Sequence, residues 1–364
     1  MRLKHFHAYQ PICPNCQSQY SQAHKLELQI RSMHPNMSDW VEEGQLFCRG
    51  CRSLYPILKG IPIIVPDPSN YLKNSVLHAL WPEDESFFFQ QWVGECSGPN
   101  SAFELSRNYL STYGWSHYND VNPSSTSADT SSGLCEIAKA INLKSSGLTL
   151  DLGCSVGRLS FEWAKNTSDL TSSHSEPLCL GIDLNYSMVQ FAQRILKTST
   201  VQYGERAVGT TYRWVDFKYE FPNTEHLDFW VADVLSLPFS SESIDQQSSL
   251  NLLDCVADPI RHLQELNRVQ KRGHGKYTIV TPYDWSGQAT EYSKWIGGQA
   301  QMSAFGGSSQ RELSWLMSKS SPYPDLCDAQ IVRTVEKIPW RIRIHDRSTM
   351  HYQVHLVELI RQAI

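Results

Sequence analysis

The stretch Leu148-Thr-Leu-Asp-Leu-Gly-Cys-Ser-Val-Gly-Arg-Leu-Ser-Phe-Glu-Trp-Ala164 constrains this chain more than any other. Leu148, Leu150 and Leu152 make a short apolar run that predicts a buried strand. Gly153 and Gly157 follow, and then Leu159, Phe161, Trp163 and Ala164 at helical positions. Strand, glycine turn and helix in that order make a nucleotide-binding geometry. Glycine lets backbone amides come close to a ligand that a side chain would hold away. The dinucleotide fingerprint G-x-G-x-x-G is not met, because Cys154, Ser155 and Val156 separate the two glycines.

The context repeats the pattern. Leu178-Cys-Leu-Gly-Ile-Asp183 is a second apolar run ending in an acid, and Asp228-Phe-Trp-Val-Ala-Asp233 a third. An acid at the tip of the second strand is where an α/β nucleotide fold meets ribose hydroxyls. Between the first two runs, 166–177 is polar and predicts a surface loop. Asn185–Leu196 carries apolar residues at a helical period. Asp245–Asn251 is expected as strand four and Gly273–Val280 as strand five. Strand four is unusual: Gln246, Gln247, Ser248 and Ser249 are far more polar than a buried parallel strand normally is. Either these side chains find partners or the strand lies at a wet edge. Strands alternating with helices predict a doubly wound, mostly parallel α/β sheet, with ligands at the carboxyl ends of its strands.

The D-x-G-x-x-x-G of Asp151–Gly157 resembles motif I of class I S-adenosylmethionine (SAM) methyltransferases, which have a Rossmann-like fold. That resemblance implies SAM as cofactor, held by Asp151, Gly153, Cys154, Gly157 and Asp183. It places Asp233 and Val234 beside the adenine, and Asn251 against the cofactor or the acceptor. Cys154 is expected to pack on the cofactor and Arg158 to pair structurally.

Cysteine usage points to a second element. Cys13-Pro-Asn-Cys16 and Cys48-Arg-Gly-Cys51 are paired knuckles separated by 31 residues. Two such pairs place four thiolates around a tetrahedral zinc, and four protein ligands make that zinc structural. The intervening segment predicts a hairpin, and His24 and His34 within it stand as alternative ligands. Leu54-Tyr-Pro-Ile-Leu-Lys-Gly-Ile-Pro-Ile-Ile-Val-Pro66 predicts strand, turn, strand. It is similar to the small zinc-ribbon activator subunits of tRNA and protein methyltransferases. The expected organisation is a zinc ribbon at 1–65, a helical connector with a Ser-rich linker at 66–133, and the methyltransferase domain at 134–364. In the connector, Phe87–Phe89 and Trp92 predict the buried face of a helix.

Charge and hydropathy limit the partners. The whole chain has 32 basic and 37 acidic residues. Residues 1–65 carry a net +3 and the remaining 299 a net −8. Nucleic-acid affinity comes largely from phosphate neutralisation, so this balance disfavours a nucleic-acid partner. No apolar run approaches the roughly 18 residues of a membrane span, and the N-terminal residues lack a signal-peptide pattern. The expected location is cytoplasmic, with reduced thiols and no membrane partner.

Further stretches resemble the methyltransferase domain of mercaptohistidine (ovothiol-type) N-methyltransferases. They are Asp151–Glu162, Asn251-Leu-Leu-Asp-Cys-Val-Ala-Asp-Pro259, Thr281-Pro-Tyr-Asp-Trp285, Trp295-Ile-Gly-Gly298 and Ile338-Pro-Trp-Arg-Ile-Arg-Ile-His345. Gly157–Ala164 and Asn185–Met188 also look like carnosine N-methyltransferases. The resemblance implies a small acceptor with an imidazole, and it puts Asp254 and Tyr283 forward as catalytic residues. Asp254 would orient the ring nitrogen that is not methylated, and helix capping is its structural alternative. Trp285 and Trp295 are expected in a lid. The ribbon keeps open the alternative of a zinc-ribbon RNA methyltransferase. His351 and His355 stand at helical spacing and lack a fourth ligand for a metal.

Overall fold

The computed structural model of the protein describes residues 1–20, 23–75, 86–125, 132–143, 147–167, 176–273, 275–299 and 304–363. Most of the polar stretches expected as linker or loop, 126–131 and 168–175, lie outside the described residues.

The expected parallel strands all form: β5 (Leu148–Leu152), β6 (Leu178–Asp183), β9 (Leu227–Ala232), β10 (Gln246–Leu250) and β11 (Lys276–Thr281). They lie in the order β9-β6-β5-β10-β11, each parallel to its neighbour. β12 (Ala329–His345) and β13 (Ser348–Arg361) form a long antiparallel hairpin, and β13 runs antiparallel along β11. His351 and His355 therefore sit on a strand, which corrects the helical reading of their spacing. Alternation of branched residues with polar ones along 348–361 is the strand signal that a four-residue spacing concealed.

At the other edge the sheet continues into the N-terminal segment. β1 (Glu27–His34), β2 (Met37–Phe47), β3 (Leu54–Leu58) and β4 (Ile61–Ile64) form an antiparallel meander. β4 then pairs parallel with β9, through Ile63 with Val231 and Ile64 with Ala232. One eleven-stranded sheet thus runs from β1 to β12. Residue 65 ends the meander and does not separate two cores: Leu46, Tyr55, Ile57 and Ile64 share a buried cluster with Leu152, Ile182 and Trp230.

Helices cover both faces. α5 (Ala102–Tyr118), α6 (Leu134–Ile141), α7 (Arg158–Lys165) and α8 (Tyr186–Thr198) pack on one side, and α1 (Leu3–Tyr9), α9 (Pro259–Val269) and α10 (Ser309–Leu316) on the other. A short α2 (Pro14–Tyr20) carries the first knuckle. α3 (Pro68–Asn74), capped by Asp67, and α4 (Phe87–Ser97), capped by Ser86, belong to the connector. The face of α4 differs from expectation. Phe88, Phe89 and Trp92 are exposed, and the helix buries Gln90 and Gly94 instead, because Gly94 lies against the Arg107 guanidinium of α5. A separate hairpin, β7 (Thr200–Val208) and β8 (Thr211–Lys218), packs on α5.

The polar strand β10 lies inside the sheet and not at a wet edge, and its serines and the Gln247 amide nitrogen bond to partners while the Gln247 side-chain oxygen is buried without one. Ser248 bonds Asp151 and the Trp163 indole, each at 3.0 Å. Ser249 bonds His262 at 2.9 Å, and the Gln247 amide donates to Leu266 and Gln270. Among the described residues no helix is long and apolar enough to cross a membrane.

Candidate functional site

The carboxyl ends of β5, β6, β9 and β10 open onto two adjoining cavities that share Gly153, Asp183, Asn185, Leu252 and Cys255. The β5-to-α7 turn builds their floor. Gly153 (φ +69°), Ser155 (φ +52°) and Gly157 (φ +89°) all have left-handed backbone. At Gly157 a Cβ would lie 2.7 Å from Ala192 and 2.8 Å from Phe229, so only glycine fits where α7 meets the sheet. Cys154 is buried against this turn, and its amide donates to Ile182 of β6 at 2.9 Å.

The acids sit at the strand ends as the sequence suggests. Asp151 accepts from Ser160 at 2.6 Å and Ser248 at 3.0 Å, and burial pushes its carboxyl up to about 7. Asp183 accepts from the backbone amides of Ser155 (2.9 Å) and Asn185 (2.8 Å), with burial again raising its pKa. Asn185 caps α8 through Ser187 and Met188. Asp233 accepts from the Leu235 amide at 2.9 Å and, with Val234, lines the second cavity.

The two cavities differ in character. The first is walled by Tyr113, His117, Asp151, Asn251, Trp340 and Ile342, among others, and has a volume of about 220 Å³. The second, about 600 Å³ and more open, adds Tyr71 and Ser75 of the connector, Leu184, Asp233, Val234 and Val256. Tyr71 donates to the Leu184 carbonyl at 2.7 Å, so α3 closes over the loop that follows Asp183. Asn251 has left-handed backbone (φ +49°), and its side-chain oxygen is buried with no partner.

Eight residues expected around a cofactor are accounted for in this way. Asp151, Gly153, Cys154, Asp183, Asp233, Val234 and Asn251 line the cavities, and Gly157 shapes the turn beneath them. Asp254 and Tyr283 line neither cavity. The Asp254 carboxylate accepts from the Asp284 amide at 2.6 Å, so it caps no helix and instead fastens the loop after β11. Tyr283 bonds His355 Nδ1 at 2.8 Å, and Asp284 accepts from Tyr352 at 2.9 Å, tying that loop to β13. Trp285 and Trp295 stack at 6.3 Å with their indoles bonded to Ser309 and Thr290, outside both cavities. Tyr71, Tyr113, His117 and Trp340 join the site without a sequence signal of their own: Trp340 lies within Ile338–His345, and the others lie in the aromatic-rich connector, which has no motif.

Arg158 is structural. It pairs with Asp120 (2.7 Å) and Glu162 (3.0 Å) and donates to the His117 carbonyl at 2.7 Å. In the N-terminal segment, Cys13, Cys16, Cys48 and Cys51 bring their sulfurs within 4.8 Å of one another, with Cys13–Cys51 at 3.5 Å and Cys16–Cys48 at 3.6 Å. Four thiolates about 2.3 Å from one zinc would lie roughly 3.8 Å apart, so the cluster fits a tetrahedral metal. Among the described residues neither histidine joins the cluster: the His24 ring lies over Gly50, and His34 accepts from the Asn36 amide.

Residues 150–275 match the family described as "Methyltransferase domain". No curated protein matches the chain. Among solved structures the chain is similar to a SAM-dependent methyltransferase of Methanosarcina mazei (18% identity, 62% of this chain and 98% of that one, TM-score 0.38). It is similar also to a SAM-dependent methyltransferase of Aquifex aeolicus (13%, 62% and 88%, TM-score 0.36). A third is a chain of the Haloferax volcanii complex between the Trm112 methyltransferase activator and a methyltransferase (15%, 64% and 90%, TM-score 0.38). The domain match falls on the strands and turns that build the cleft, and it marks residues 150–275 as a methyltransferase-type domain.

Proposed function

We propose that this enzyme methylates a nitrogen of a small, histidine-derived acceptor that carries an imidazole. The observation that carries the reading is the enclosed first cavity, which continues the cofactor crevice and is walled by Tyr113, His117 and Trp340. Its aromatic walls suit a small heterocycle. Three of the stretches that resemble the mercaptohistidine enzymes supply its wall: Asp151–Glu162, Asn251–Pro259 and Ile338–His345. The net −8 outside the N-terminal segment weighs against an RNA acceptor.

When bound, SAM supplies an electrophilic methyl on a sulfonium. The chain contributes position and exclusion of water. Asp183 and Asn185 lie where ribose hydroxyls would bond, Asp233 and Val234 where adenine would rest, and Asn251 offers an unpaired oxygen to an amino group. A neutral imidazole nitrogen is nucleophilic by itself, so a strong base is not required. Its lone pair displaces the sulfonium sulfur, and the ring then gives up its other N–H proton to solvent. Asp254 and Tyr283 act at one remove, as positioning residues that hold the 281–285 loop beside the cleft. Cys13, Cys16, Cys48 and Cys51 hold a structural zinc.

The test is methyl uptake from labelled SAM by histidine, thiohistidine, carnosine and bulk RNA. Label in one of the imidazole compounds is the expected result. Label in RNA alone overturns the reading.

A further inference from the structure

The wall of the first cavity carries more unmatched hydrogen-bonding groups than its surroundings explain. His117 Nδ1, Trp340 Nε1 and Asn251 Oδ1 are each buried without a partner, and all three residues line this cavity. A buried polar group left unpaired costs about 1–3 kcal/mol, so three on one wall need a reason. The rings are also arranged. His117 stands edge-on to Trp340 (centroids 6.3 Å, 83°) and to Tyr113 (6.1 Å, 81°). His117 comes from α5 and Trp340 from β12, elements far apart in sequence that pack against each other. Arg158 anchors the His117 backbone carbonyl at 2.7 Å, which fixes the ring at the cavity.

Resting on the imidazole reading above, we propose that His117 and Trp340 are the specificity-determining residues for the acceptor. The ring nitrogens of the pair bond the acceptor's heteroatoms, while the aromatic faces of Tyr113 and Trp340 flank its ring. Burial, reinforced by the Arg158 charge, lowers the His117 pKa to about 3, so the imidazole stays neutral. A neutral donor–acceptor wall selects the uncharged acceptor, which is also the nucleophilic form. No proton transfer to His117 is needed: it binds and orients.

The test is calorimetric titration of the full-length protein, saturated with S-adenosylhomocysteine, with imidazole, L-histidine, thiohistidine and carnosine as probes at pH 8. His117→Phe keeps the ring and removes its nitrogens, and Trp340→Phe does the same for the indole. His117→Asn restores a polar atom near the Nδ1 position. The expected result is that each Phe variant binds the best probe at least tenfold more weakly, while His117→Asn stays within threefold of wild type. S-adenosylhomocysteine affinity, unchanged in all three, shows that the fold and cofactor crevice are intact. Probe affinity unchanged in His117→Phe and Trp340→Phe overturns the specificity assignment and leaves the imidazole reading standing. If His117→Phe alone disturbs cofactor binding, equal losses in His117→Asn and His117→Phe overturn it as well. Failure of the wild type to bind any probe overturns the imidazole reading itself.

Discussion

At the residue scale the acids of the cleft carry the account. Asp151 is held by two serine hydroxyls inside the sheet, and burial brings its carboxyl up to about 7. A cationic cofactor beside it favours the ionised form, so binding releases a proton whenever Asp151 is protonated beforehand. SAM affinity should therefore fall as the pH drops below about 7, by up to roughly tenfold per unit, and level off above it. Affinity that is flat between pH 5.5 and 8.5 contradicts this role. Asp254 belongs to a different class. Its bond to the Asp284 amide is within reach of an asparagine oxygen, so Asp254→Asn should leave the melting temperature nearly unchanged. Asp254→Ala removes the bond to a partly exposed amide and should cost about 0.5–1.5 kcal/mol by denaturant titration. It should leave SAM affinity unchanged, because the loop it fastens lines neither cavity.

At the element scale the connector is the part that was least legible. The motif at 151–157, the acids at 183 and 233 and the alternation of strands and helices were readable, because glycine spacing and apolar runs have few structural solutions. The aromatic connector has no such grammar. Phe88, Phe89 and Trp92 read as a core stripe and are exposed, since Arg107 and Gly94 claim the inner face of α4. Tyr71 was one aromatic among many, and only the fold shows α3 lying over the loop after Asp183. Tyr71→Ala should weaken SAM binding five- to fiftyfold, roughly 1–2 kcal/mol for the lost wall and bond. Tyr71→Phe should lose less than fivefold. Equal affinity for SAM in wild type and Tyr71→Ala, by calorimetry, would remove α3 from the cofactor site. Asp254 shows the opposite pattern: motif context suggests a place at the chemistry, and one oxygen of its carboxylate bonds a backbone amide across the loop.

At the scale of the whole molecule the N-terminal segment is part of the methyltransferase sheet. Sequence spacing suggests a ribbon that folds by itself, because paired knuckles are local and strand pairing across 168 residues leaves no mark in the sequence. β4 lies beside β9, whose end carries Asp233, and the β3–β4 turn holds α8. There Leu58 and Gly60 carbonyls accept from Tyr186 (3.0 Å) and Gln193 (2.8 Å). Damage at the cysteines should then spread to the cofactor. Cys48→Ser, or zinc withdrawal by a strong chelator, is expected to lower the melting temperature and to weaken SAM binding by fivefold or more. Loss of metal with unchanged SAM affinity would show the segment to be an independent appendage.

The central claim is that SAM binds at the carboxyl ends of β5, β6 and β9, with Asp183 at its ribose. Titration of SAM into wild type and Asp183→Ala tests it most directly. The account predicts one site per chain and a loss of about 1.5–3 kcal/mol in the variant, on the order of ten- to a hundredfold in affinity. Wild-type affinity in Asp183→Ala, with an unchanged fold by circular dichroism, would contradict it.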